Sequence, residues 1–455
     1  MNPPSPSLPA GVSRRQFLRH TALLAASAAT APMFLPSGVL AANGQPGANG
    51  RIGVGFIGIG RQASGLLEQL LKLPEARFLA VADVNLNRAK EAGAKHGAKP
   101  FQDYRRLLEL KEVDAVVTAT PDHWRGPICI HTCQAGKDLY VEKPLSLTIR
   151  EGRLFVEAAR KYQRVFQVGS QQRSNWVDQA ACELVRSGGL GKVQQVYGPN
   201  YPSPWEGALP AQPIPDGLDW EMWCGPFATV PYNKDLYLPR ANPGWLSFRP
   251  YSGGEMTGWG AHGLDMIQAA LGMDASGPVE VWTEGPKFAP PTYTQAESKD
   301  RGDKLCNVPK VFFRYANGLV MELADSLPKP VFENNKVPGG GGVFVCDKGT
   351  FKIDRGSCES EPEEIALDLR KKRPRGFDEN HLKNWLDCVK SRAKPNADVE
   401  IGHRSATVCH LGNIARWTGR RLKWDPVKEI FPDDKEANEH LDRKRRKAWE
   451  LPEKV

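Results

Sequence analysis

From Ile52 to Ile57 the chain carries no charge, and its β-branched residues fit a central parallel strand buried on both faces. A helical stretch, Ser64 to Lys72, follows a glycine turn. The alternation then repeats: strand Phe78 to Ala82, helix Arg88 to His96, a helix around Tyr104 to Leu110, and strand Ala115 to Ala119. Helix Pro127 to Ala135 and the strands Asp138 to Val141 and Val165 to Val168 continue it. Such regular alternation predicts a doubly wound sheet. Beyond it the pattern changes. Val279 to Glu284, Lys310 to Arg314, Leu319 to Leu323, Gly342 to Cys346 and Thr350 to Asp354 read as strands, several with period two, and suit a mostly antiparallel sheet. Helices Asp378 to Arg392 and Gly402 to Thr418 precede Arg421 to Trp424. The chain therefore reads as α/β: an N-terminal doubly wound Rossmann domain over residues 51–173, then a C-terminal α+β domain with a mostly antiparallel open sheet over residues 174–432. Residues 433–455 form a charged C-terminal tail, whose run Asp433 to Trp449 reads as a helix or frayed end expected to be solvated, with a subunit contact as the alternative.

Ahead of these elements, Ser13-Arg14-Arg15-Gln16-Phe17-Leu18 precedes the alanine-rich stretch Thr21 to Pro36. Paired arginines before such a run have the form of a twin-arginine export signal over residues 1–42, cleaved after Ala41 or Ala42. Pro32 and Pro36 break the run, so no retained membrane span is expected, and residues 43–50 form a linker. A twin-arginine substrate crosses already folded, with any cofactor aboard. The expected location is periplasmic or otherwise extracytoplasmic.

The 455 residues are 40% hydrophobic, ample for sizeable cores. Part of the net charge of +9 lies in the leader and in Arg443 to Lys447, and no basic stripe with interleaved aromatics occurs elsewhere, so nucleic acid is set aside. The nine cysteines are odd in number and include no CxxC pair. They read as buried thiols, with neither a metal site nor a disulfide frame expected.

Candidate chemistry sits at the carboxyl ends of the first strands. In Gly58-Ile59-Gly60-Arg61-Gln62-Ala63, Gly58 turns the chain, Gly60 admits a pyrophosphate without a Cβ, and Ala63 lets the helix pack closely. Asp83 ends the second strand, where a carboxylate can accept from both ribose hydroxyls; NAD is favoured over NADP, although Arg88 stands nearby. Thr120-Pro121-Asp122-His123-Trp124 closes a later strand and should face the nicotinamide ribose, with packing as the alternative for His123 and Trp124. Glu142-Lys143-Pro144 closes the next one.

These motifs, together with AGKDLYVEKPLS at 135–146 and GWGAHGLD at 258–265, make the chain similar to the Gfo/Idh/MocA family of oxidoreductases from about Arg51 to Trp424. The resemblance implies that Lys143 lies beside the nicotinamide and handles the substrate proton, while His262 faces the substrate as a second catalytic group. A lysine partly desolvated near a cationic ring would have its pKa lowered toward the useful range. His262 suits proton relay near neutrality. Glu142 is expected at the ammonium or the ribose, and Trp124, Arg173, Trp259 and Asp265 are the substrate-facing candidates.

The chain departs from the family at Gly258, where an aspartate usually stands four positions before the histidine; Glu255 or Asp265 could supply a carboxylate instead. Arg125 replaces a frequent histidine, either to bind an acidic substrate group or to pair with a surface carboxylate. Tryptophans 205, 220, 223, 245 and 259 offer faces for a sugar, or serve as core anchors. The implied activity is hydride transfer between a sugar or cyclitol carbinol and a tightly held NAD, in a homo-oligomer. Redox-assisted cleavage of a glycoside with no net redox is one rival, and a non-catalytic sugar-binding protein is the other.

Overall fold

Alternate residues of one six-stranded sheet feed two different cores. A computed structural model describes residues 50–237, 244–290, 292–294 and 308–455. The proposed export signal, almost all of the linker and Cys306 lie outside the described residues. The sheet comprises β1 (Ile52–Ile57), β2 (Ala76–Ala82), β3 (Lys99–Phe101), β4 (Ala115–Thr118), β5 (Asp138–Val141) and β6 (Phe166–Val168). Its order is β3-β2-β1-β4-β5-β6, with every pair parallel. Val54, Phe56, Val81, Val117 and Tyr140 point into the core under the helices Arg61–Leu70 and His381–Ser391. Ile57, Ala82, Val116, Leu139 and Val141 point the other way, toward Arg125–Gln134 and Ile149–Lys161. This period-two division explains why the strands read as continuous apolar runs. The order reverses between β1 and β4, so the carboxyl ends of these two strands border the crevice where ligands of such sheets bind.

The second sheet adds β7 (Val193–Pro199), β9 (Glu280–Glu284), β11 (Lys310–Arg314), β12 (Val320–Ala324), β13 (Gly342–Cys346), β14 (Gly349–Asp354), β15 (Ser357–Glu361) and β16 (Leu422–Lys423). A small parallel pair, β8 (Glu206–Gly207) with β10 (Thr292–Tyr293), stands apart. The eight strands run β15-β14-β13-β7-β12-β11-β9-β16, antiparallel except for β7 with β12. Helices Trp176–Arg186 and Gly260–Ala270 pack on this sheet. The long helix Val399–Thr418 touches both cores: Val399 and Ala406 meet the parallel sheet, while Val408, Leu411 and Ile414 meet the second. Ile52–Val455 forms one compact unit.

The C-terminal run departs from the solvated expectation. Arg445 is buried and pairs with the buried Glu151 at 2.6 Å, and Trp449 packs edge-on against Trp124 with centroids 4.9 Å apart. Long side chains laid on apolar surface, with their charges paired, make the run a clasp. Among the described residues no helix is long and apolar enough to cross a membrane. The eight described cysteines are free, buried thiols, and no group of three or more possible metal ligands occurs among the described residues.

Candidate active site

At the end of β1 the backbone turns at Gly58, whose φ of +78° lies in the left-handed region. A Cβ there would stand 2.7 Å from Thr120 Cγ2, so glycine also allows the β4 loop to approach. Gly60 caps the helix Arg61–Leu70 without a side-chain hydrogen bond, and no acidic residue occupies the first turn. A Cβ on Gly60 would meet nothing within 4 Å. The first-turn amides thus border open space with no side chain capping them, which suits an anion. Ala63 is wholly buried, packing the helix onto the sheet.

Asp83 sits at the same edge. Its Oδ2 accepts from the Ile59 N–H at 2.9 Å and its Oδ1 from the Asn85 N–H at 2.8 Å, so it braces the glycine turn from behind. The next helix is capped by Asn85, not by Asp83. Arg88 lies 3.5 Å from Asp83 and donates to the Tyr237 hydroxyl at 2.8 Å. Main-chain bonds, Leu86 N–H to the Gly217 carbonyl and Asp219 N–H to the Val84 carbonyl, each 2.9 Å, bind a strap from the second half across this end.

Gly58, Gly60, Asp83, Arg88 and Tyr237 border a cavity of about 320 Å³ that also takes in Thr120, Pro121, Glu142, Lys143, Trp259 and His262. Lys143 arrives from the end of β5, and its Nζ donates to the Gly258 carbonyl at 3.2 Å. His262 arrives in the first turn of Gly260–Ala270 and lies 5.4 Å from the Trp259 ring, centroid to centroid. The two candidate catalytic residues, 119 positions apart in sequence, therefore line one cavity. Three amides hold the Glu142 carboxylate. Its Oε1 accepts from Gln62 at 3.0 Å and Gln171 at 2.8 Å, and its Oε2 from the Lys143 backbone N–H at 3.1 Å, which locks the turn.

Arg125 is buried on the cavity wall and pairs with the fully buried Asp122 at 3.2 Å. Burial pushes the Asp122 carboxyl up, against the pull of Arg125, a hydrogen bond from Ser252 and the charge of Lys143. The arginine pairs with a carboxylate, but with a buried one in place of the expected surface partner.

Three candidates lie elsewhere. His123 turns away from the cavity: its Nε2 lies 2.8 Å from the Trp223 carbonyl, and burial holds its pKa down at about 4, so it packs as a neutral ring. Arg173 and Asp265 bind each other instead of facing the cavity, with 2.9 Å contacts from Nε to Oδ2 and from Nη2 to Oδ1. Arg173 also meets Asp274 at 2.8 Å, and Ser405 donates to Asp265 at 2.6 Å. They belong to a buried ion cluster behind the His262 helix. Of the tryptophans, 124, 223, 245 and 259 border the cavity, whereas Trp205 and Trp220 are core anchors. Gln171, Tyr237 and Arg355 border it unforeseen. Gln171 directly follows the β6 turn, a position the strand-end rule could have flagged; no local pattern marks the other two.

A parallel sheet with an uncapped glycine turn, an edge carboxylate and a crevice closed by a second α/β half defines a dinucleotide-binding Rossmann protein. The chain belongs to the Gfo/Idh/MocA oxidoreductase family. Residues 52–170 match the family model described as "Oxidoreductase family, NAD-binding Rossmann fold", and residues 181–319 and 368–451 match the "Oxidoreductase family, C-terminal alpha/beta domain". It is 35% identical over 143 residues to inositol 2-dehydrogenase of Rubrobacter xylanophilus, covering 31% of this chain and 41% of that protein. It is 26% identical over 203 residues to alpha-N-acetylgalactosaminidase of Shewanella oneidensis, covering 40% and 44%. The chain thus aligns with less than half the length of these relatives. The WlbA dehydrogenase from Chromobactrium violaceum, in complex with NADH and UDP-GlcNAcA, superimposes with a TM-score of 0.58 at 17% identity, over 84% of this chain and 98% of that one. That likeness carries the fold.

Proposed function

We propose that this protein is an exported oxidoreductase that moves hydride between a carbinol carbon of a sugar or cyclitol and NAD, with Lys143 and His262 managing the hydroxyl proton. The carrying observation is that both side chains border one cavity with the glycine turn and Asp83. When bound, the nicotinamide supplies the hydride acceptor. The first-turn amides of Arg61–Leu70 would hold its pyrophosphate, and Asp83 a ribose. Lys143 takes or returns the hydroxyl proton at Nζ, His262 relays it, and Trp259 offers an apolar face to the sugar ring. The strap at Val84 and Leu86 supports a cofactor retained between turnovers. Export by the twin-arginine route rests on Arg14 and Arg15, and NAD over NADP on Asp83. Mass analysis of the nucleotide that copurifies, followed by its near-ultraviolet absorbance on adding a panel of sugars and cyclitols, tests the reading. A protein that holds no nucleotide and gains none from solution sinks it.

The partial identity to an alpha-N-acetylgalactosaminidase favours one second reading: transient oxidation, loss of the glycosidic substituent, and return of the hydride. An aryl glycoside assayed with no added NAD separates the two, because a simple dehydrogenase releases no aglycone.

A further inference from the structure

The cavity carries more positive than negative charge. Five cationic side chains border it, Arg61, Arg88, Arg125, Lys143 and Arg355, against the two carboxylates Asp83 and Glu142. Four of the five are engaged: Arg88 stands at Asp83, Arg125 pairs with Asp122, Arg61 opens the phosphate-facing helix, and Lys143 donates to the Gly258 carbonyl. Arg355 is different. It is exposed, and among the described residues its guanidinium makes no hydrogen bond or ion pair.

The chain fixes where this arginine stands. Arg355 and Gly356 make the two-residue turn between β14 and β15, with Gly356 at a φ of +69°. Asp354 Oδ1 accepts from the Arg355 N–H at 2.8 Å and from the Gly340 N–H at 3.1 Å, while both Asp178 oxygens accept from the Gly356 N–H at 3.1 Å. Both carboxylates thus serve main-chain amides, and burial lifts the Asp178 carboxyl to about 7, which leaves it only partly charged near neutrality. The turn lies at the reacting end of the cavity by two routes. A Cβ on Gly340 would stand 3.0 Å from Arg355 Cβ, and the carbonyls of Gly339 and Gly341 lie 3.1 Å from the place of a Cβ on Gly263, the residue after His262. Gln172 Nε2 donates to the Gly340 carbonyl at 2.7 Å, and the preceding Gln171 holds Glu142 beside Lys143. A glycine run free of side chains is what lets the turn close on the His262 helix.

We propose that Arg355 is the anion-recognising residue of the substrate site, and that the substrate is an acidic sugar whose carboxylate or phosphate meets the guanidinium while its carbinol faces Lys143 and His262. The role of that pair rests on the hydride-transfer reading. A guanidinium fork matches either oxyanion with two parallel hydrogen bonds, and an arginine held by its backbone loses little freedom in making them.

Calorimetric titration of the nucleotide-loaded protein with glucose, galactose and mannose, each beside its uronic acid and its 6-phosphate, tests this without turnover. At least one acid should bind roughly tenfold to a hundredfold tighter than its neutral parent, the usual yield of a charge-assisted hydrogen bond. Whether the uronic acid or the phosphate gains the margin tells the two oxyanions apart. Arg355→Met should erase that margin, and Arg355→Lys should restore only part of it, because an ammonium offers a point charge in place of a fork. Nucleotide affinity should hold in all three proteins. Acids that bind no tighter than their parents, a margin that survives Arg355→Met, or a nucleotide affinity that falls with that substitution would overturn the assignment. An acid that binds through Arg355 yet never changes the absorbance of the nucleotide would instead sink the hydride-transfer reading and leave this anion site standing.

Discussion

Asp265→Ala separates a buried ion cluster from a substrate contact. Arg173 is only 8% exposed and takes two 2.9 Å contacts from Asp265 and one of 2.8 Å from Asp274. Removing one partner of a buried pair typically costs about 3–5 kcal/mol, because the remaining charge cannot reach water. Asp274 is partly exposed and still neutralises Arg173, so the lower end applies, about 3 kcal/mol. With a urea m-value of about 3 kcal/mol/M for a chain of this size, the unfolding midpoint should fall by about 1 M. Urea titration followed by tryptophan fluorescence measures it. Sugar KM, once a substrate is found, should change little in the protein that remains folded. An unchanged midpoint accompanied by a large rise in KM would refute the cluster and return Asp265 to the substrate.

Lys143→Ala should lower turnover by roughly a hundredfold to ten-thousandfold, the usual yield of a general acid or base, while NADH binding followed by fluorescence stays near wild type. Asp83→Ala removes charge-assisted acceptors worth about 1.5–3 kcal/mol, and leaves Arg88 without its carboxylate. NAD affinity should therefore fall roughly tenfold to a hundredfold, with NADP gaining relative to NAD in parallel titrations. For Glu400 and Glu429, burial alone would raise the carboxyl, but hydrogen bonds from Arg153 to both and from His403 to Glu429, with the charges around them, bring each down to about 2. A depressed folded-state pKa contributes stability above the ordinary value, and this is lost as pH falls through about 2. Wild type should weaken progressively in urea titrations from about pH 5 to about pH 3, and Arg153→Met should flatten that dependence.

The parallel sheet was legible because burial on both faces writes uncharged runs that local reading detects, and the glycine turn, Asp83 and Lys143 follow from where such strands end. Strands β7 and β15 escaped because Val193–Pro199 holds two glutamines and Ser357–Glu361 is alternately exposed and polar. Arg173 and Asp265 misled for a different reason. Polar residues near a motif look functional until their partners are known, and those partners lie 92 positions apart. The tail misled in the opposite direction, since Arg445 finds Glu151 at a separation of 294 residues and no charge pattern foretells such a pairing. Tyr237 and Arg355 reach the cavity only through the tertiary fold.

The central claim is that hydride passes to a nucleotide held against Lys143 and His262. Sugars and cyclitols deuterated at their carbinol carbons, added to the nucleotide-loaded protein, test it when the nucleotide is then recovered and weighed by mass spectrometry. Deuterium should appear on the nicotinamide in wild type and be lost in Lys143→Ala. A wild-type protein that converts its sugar while the nucleotide stays unlabelled would contradict the account.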